Sequence, residues 1–236
     1  MTAPDLYITT HALIHSGAVY RDGELIFKEE PAGGTNGFFL SVYKALKVDY
    51  PKFYKMDNLC KLGFLATEWL LRDRQIAEEY GVENIGIILT NANSSLDADL
   101  KYFESVKNIP SPAQFVYTLP NIVIGEVSIR HGFKGENAFF VSEDFDAGFI
   151  RFYVQDLFMR NRVQACICGW VDCLGEEYKA VLYLVEKVPG KDKLIFDLEN
   201  IQKTDELANG QFNERSEAAD YSAIKPSRSQ AGGYWR

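Results

Sequence analysis

SPAQFVYTLPNIVIGEVSIRHGFKGENAFFVSED, residues 111–144, decides how this chain is read. Residues 119–131 read as a helix, residues 137–142 as a short apolar strand, and another helix follows from about 145 to 160. Helix, strand and helix in so short a span imply layers packed on a sheet. Asp144 stands where the strand would hand the chain to the next helix, and its carboxylate suits a helix cap there. Glu143 and Asp146 make the local sequence Glu-Asp-Phe-Asp, with Phe145 inside it. Acids beside a helix start are explained by the helix dipole more simply than by a metal or a paired-carboxylate site.

The same alternation extends to both sides. Upstream, residues 6–20 suggest an opening strand and hairpin, with turn chemistry at residues 21–24. FFLSVYKALK reads as a short helix, and residues 57–80 carry the clearest helical spacing, ending at Gly81. One face of that helix should pack on a sheet. IGIILT, residues 85–90, is apolar throughout, as a strand covered on both faces would be, and residues 95–106 read as helix. Downstream, residues 163–171 and 180–187 are two more strands. The fold class is therefore α/β, a mixed central sheet covered by helices on both faces. Residues 1–198 form the expected domain and 199–236 a tail, which from about residue 205 has too little apolar content to order itself.

Net charge of -8 and a pI near 5.0 argue against nucleic-acid binding, which requires a basic face. No run approaches the length of a membrane span and the N-terminus has no signal-peptide pattern, so no membrane partner and a cytoplasmic location are expected. No phosphate-cradling glycine motif or dinucleotide fingerprint occurs, and no cofactor is expected. Cys166 and Cys168 lie two apart on a strand and would share a face. With Cys60 and Cys173 they read as reduced core thiols, because the spacing does not suit a zinc site.

Ser111, Pro112, Pro120, Asn121, Gly125, Ser128, Ile129, Gly132, Gly135, Asn137, Val141 and Ser142 together resemble the N-terminal half of β-ketoacyl synthases and their chain-length-factor partners, members of the thiolase-like superfamily. KMDNLCKLGFLATEWLL and CICGWVD add to the likeness, which covers roughly residues 1–190. The resemblance puts Asp144 at the position of the reactive cysteine. It also implies a second half that supplies two histidines, and His11, His15 and His131 all precede Asp144. A carboxylate is a poor acyl nucleophile for this task, so no catalytic residue is assigned and acyl transfer is not expected of the chain alone.

What the resemblance implies is a subunit similar to a chain length factor, paired with a full-length ketosynthase. The pathway would be type II fatty-acid-like or polyketide synthesis of the aryl-polyene or flexirubin kind. Pairing would use the strand Asn137, Ala138, Phe139, Phe140 and Val141, and the segment Gln114, Phe115, Val116, Tyr117, Thr118, Leu119, with Asn121 behind it, would face the interface or acyl tunnel. An acidic chain should touch the acidic acyl carrier protein only indirectly, through its partner. Two alternatives remain at this level. One is a thioester decarboxylase or hydrolase using Asp144, and the other is a homodimeric acyl-chain binding module.

Overall fold

The computed structural model describes residues 4–29, 33–107, 109–188 and 194–205. Its centre is an eight-stranded mixed sheet in the order β3-β2-β1-β7-β6-β4-β5, with β8 beside β1. The chain enters through β1 (Tyr7–His15), β2 (Ala18–Arg21) and β3 (Glu24–Lys28). The opening segment is thus two hairpins rather than one. Ser16-Gly17 and Asp22-Gly23 all have positive φ, the geometry of two-residue turns whose twist matches the flanking strands.

α1 (Gly34–Leu46), α2 (Asn58–Leu70) and α3 (Ile76–Tyr80) follow, then β4 (Ile85–Asn91), buried at every position as its apolar run requires. The single helix expected over residues 57–80 is broken. Asp73 takes a left-handed φ of 71° after α2, and Arg74 is drawn to Glu186, where Nη2 lies 2.9 Å from Oε1. No glycine or proline marks that break; the carboxylate that captures Arg74 is more than a hundred residues away. α2 is buried from Leu59 through Leu70, Lys61 and Glu68 included, so it is an interior helix and not the one-faced helix its spacing suggested.

α4 (Leu96–Val106), the short α5 (Pro112–Phe115) and α6 (Ile122–His131) lead to β5 (Asn137–Val141), which pairs in parallel with β4. Gly135 makes this entry fit. A Cβ there would lie 2.3 Å from the Ile85 carbonyl oxygen, which no side-chain-bearing residue tolerates. α7 (Ala147–Met159) precedes β6 (Ala165–Leu174), β7 (Glu177–Glu186) and β8 (Leu194–Ile195).

Alternate strand residues feed two cores. Ile87, Ile167, Leu182 and Ala12 pack with α1, α2 and α6 on one face. Ile88, Cys166, Cys168 and Tyr183 pack with Ile150, Val154 and Phe158 of α7 on the other. This is the α/β sheet covered on both faces that the pattern called for. All four cysteines are free and buried, Cys166 and Cys168 on the α7 side and Cys60 and Cys173 on the opposite side. Residues 198–205, which straddle the expected boundary at 198, are helical; Ile201 is fully buried and its carbonyl accepts from Tyr183 Oη at 3.1 Å. The remainder of the expected tail, from residue 206, lies outside the described residues.

Candidate functional site

β5 is an edge. Of its five residues Asn137 and Val141 are exposed and Ala138, Phe139 and Phe140 only half-buried, although three of the five are large apolar side chains or close to it. Ile87 N donates to Glu136 O at 2.9 Å and Ser142 N to Asn91 O at 2.9 Å, which directs the even-numbered main-chain groups of the strand at β4. The strand period of two then turns the N–H and C=O of Asn137, Phe139 and Val141 outward, on the side where no described strand pairs with β5. Phe140 meets Phe149 and Tyr153 of α7 edge-on at 4.8 and 5.1 Å, and next to them Phe152 is 69% exposed. The opposite edge, β3, differs: Glu24 and Lys28 flank its exposed Leu25 and Ile26, and charge protects an edge from pairing. β5 has no charged residue.

Five residues, 142–146, link β5 to α7. Phe145 anchors them, packed against Trp170 and Tyr183 at ring distances of 6.2 and 6.4 Å. The helix cap is Asp146, whose Oδ1 accepts from Phe149 N at 2.8 Å; Asp144, expected to serve as cap, lies two residues too early. Asp144 and Glu143 are exposed, and the recorded bond at Asp144 is through its backbone carbonyl, which accepts from Ser142 Oγ at 2.8 Å. His11 and His15 are on β1, where His11 pairs in register with Tyr183, the ring on which Phe145 stacks, and its Nδ1 lies 3.6 Å from Asp22 Oδ1. His131 ends α6, before the strand that Asp144 follows. Among the described residues no group of histidine, cysteine or acid side chains is arranged to hold a metal ion.

The segment from Gln114 to Asn121 divides. Phe115 and Leu119 project to solvent, as do Val116 and Asn121, while Phe115 leans on Tyr102 of α4 at 5.4 Å. Tyr117 turns inward, its hydroxyl 3.4 Å from Glu126 Oε1. Glu126 is itself buried and held by Lys52 Nζ at 2.7 Å from Oε2. Burial, with Glu126 next, pushes the Tyr117 phenol well above its usual range. Ser95 Oγ donates to Thr118 O at 2.9 Å, fixing this segment beside the loop that follows β4.

Beneath Gln114 and Tyr117 is a cavity of about 350 Å³. Its walls come from the N-terminal parts of α1 and α2, from α4 and from α5. Asp57 caps α2 by accepting from Cys60 N at 3.0 Å, and burial raises its carboxyl above the ordinary value. Lys61, only 8% exposed, donates to Asn36 Oδ1 at 2.6 Å, and burial lowers its ammonium pKa while Asp57 opposes that. Lys101 is tied to Asp97 at 2.6 Å, and Asp97 Oδ1 also accepts from Gly175 N at 3.1 Å. Glu176 in the same turn accepts from Thr35 N at 2.7 Å, capping α1, which has no side-chain cap of its own. Sequence reading missed this cavity, because Lys61 lies inside a helical apolar pattern and its partners come from α1, α4 and α5.

No protein-family model matches the chain. No curated protein sequence matches it either. Solved structures do. The ishigamide ketosynthase/chain length factor superposes with a TM-score of 0.56 at 16% identity, over 80% of this chain and 64% of that one. A type II polyketide synthase acyl-carrier protein in complex with its ketosynthase bound to the hexaketide, AntDE:AntF, gives 0.54 at 14% identity, over 78% and 63%. A ketosynthase in complex with its chain length factor, ApeO with ApeC from Xenorhabdus doucetiae, gives 0.54 at 12%, over 87% of this chain and 92% of the matched one. The chain therefore shares the fold of these ketosynthase and chain-length-factor structures, and spans under two thirds of the length of the first two chains it matches.

Proposed function

We propose that this chain is a ketosynthase-like subunit that pairs through β5 with a full ketosynthase, shapes that partner's acyl cavity, and carries out no condensation itself. The observation that carries this reading is the open, uncharged β5 edge with its outward-facing main-chain groups. Further exposed apolar side chains are Phe152 on α7, and Phe115 and Leu119 on the segment held to the loop after β4. An edge of that kind attracts another strand, and two such strands related by a two-fold axis would run antiparallel and continue one sheet. A complex of ketosynthase and chain length factor containing a chain this short supports the reading. Inactivity is supported by the exposed carboxylate at Asp144, a poor acyl nucleophile for this task. An aryl-polyene-type pathway in the cytoplasm, with carrier-protein contact made through the partner, is the setting that goes with it.

Co-expression with full-length ketosynthases of the source organism tests the pairing. Val141→Pro removes an outward N–H while leaving the bonds to β4 in place, so wild type should co-purify with the ketosynthase and Val141→Pro should not. Failure of the wild-type chain to co-purify would sink the proposal, and a homodimer by native mass spectrometry in its place would favour the binding-module alternative. Phe115→Ala should change the product chain length of the reconstituted pair. Turnover of a malonyl-carrier thioester by the chain alone, lost in Asp144→Ala, would overturn the inactivity.

A further inference from the structure

The cavity beneath Gln114 holds more positive charge than its own walls neutralise. Lys61 presents an ammonium, a group with three donors, to a space where its one recorded hydrogen bond is to a neutral amide, Asn36 Oδ1 at 2.6 Å. Its ammonium also lies over the Phe53 ring, 6.0 Å from the centroid. Lys55 lines the same space and makes no ion pair among the described residues, while Lys101 is already matched by Asp97. Asp57 is the one remaining acid on the wall, and its Oδ1 is engaged in capping α2. Two cations against one carboxylate leave a single positive charge, next to a helix N-terminus that adds to the positive potential. Asp57 offsets the buried Lys61, and the excess charge sits on Lys55, exposed at the rim, so the positive potential of the two lysines and the helix end favours an anion at the mouth of the cavity.

The remaining wall is mixed, with the amides of Asn58 and Gln114 beside apolar groups. Met56, Ala98, Ala113 and the ring of Tyr117 face the same space, whose volume of about 350 Å³ is at the lower end of small-molecule sites. We infer that this cavity binds a small organic monoanion, a carboxylate on a short aliphatic body, with the carboxylate against Lys61 and Lys55 and the chain against Met56 and Tyr117. A phosphate dianion fits less well: it overshoots the single excess charge and brings a second negative charge toward Asp57 and Asp97. The site is independent of the proposed pairing, since every group that builds it belongs to this chain.

Titration of the full chain with hexanoate, by calorimetry and by backbone amide shifts, tests this without any partner, so its failure leaves the pairing proposal standing. Hexanoate should bind saturably at or below about 1 mM, and hexanol and inorganic phosphate should bind at least about tenfold more weakly. Lys61→Met should weaken hexanoate at least about tenfold. Ala113→Phe, at an exposed position on the cavity mouth, should block it even if Lys61→Met does not fold, while Lys44→Met on exposed α1 surface should bind as wild type. Absence of saturable hexanoate binding, unchanged affinity in Ala113→Phe, or tighter binding of phosphate than of hexanoate would each overturn the inference.

Discussion

Two aspartates two residues apart have separate jobs. Asp146 accepts the Phe149 amide and closes the first turn of α7, whereas the Asp144 side chain is exposed and holds no recorded backbone N–H. Asp146→Ala should therefore lower stability by about 1 kcal/mol in urea denaturation, the usual worth of an N-cap, and Asp144→Ala should leave the midpoint unchanged. Equal losses in both would mean that the cap is shared. The sequence placed an acid at the start of this helix but not which one, because the choice depends on how far Phe145 pulls the loop toward Trp170 and Tyr183. The cavity was still less legible. Lys61 reads as an ordinary helical lysine until Asn36 and the α4 and α5 walls are brought against it.

Elements meet at separations that a single methyl can upset. α2 and α6 cross at Gly63, where an added Cβ would lie 2.3 Å from Val123 Cγ2. Gly63→Ala should cost about 1–3 kcal/mol through overpacking, read as a lower denaturation midpoint, and Val123→Ala in the same chain should recover part of the loss by vacating that space. No recovery would place the strain elsewhere. Strand identities were legible from local pattern: β4 carries an apolar run and is buried throughout because β5 and β6 flank it and both faces are covered. The status of β5 was not, since AFFV suits a central strand as well as an edge, and only the strand order distinguishes them. The break after α2 was hidden for a related reason. Arg74 leaves the helix for Glu79 and for Glu186 on β7, a partner that no local window contains.

Across the whole molecule, acid should unfold this chain in two steps with different owners. His15 is buried on β1, stacked on Tyr20 at 5.7 Å and opposite Lys179 on β7; burial first, then the Lys179 charge, lowers its pKa from 6.5 to about 4. As pH falls below about 6.5 the unfolded chain takes up this proton and the folded chain does not, so stability declines from there until about pH 4. Glu186 acts lower down. Burial would raise its carboxyl, but hydrogen bonds from Arg74, Thr9 and Tyr80 outweigh that and hold it below the ordinary 4.5, as Arg130 and His131 do for Glu68. The stabilisation from these acids is present above 4.5 and is lost as pH falls through their depressed folded values. Thermal unfolding followed by circular dichroism separates the two. His15→Phe should flatten the decline between pH 6.5 and 4.5 and leave the steeper loss below it, with His11, also lowered by burial, retaining a smaller share. Glu186→Gln should do the reverse, lowering stability on the order of 3 kcal/mol at pH 7 because Arg74 loses its buried partner, and shrinking the loss below pH 4.5. A slope above pH 4.5 that is unchanged in His15→Phe would show that the buried imidazole does not drive the first step.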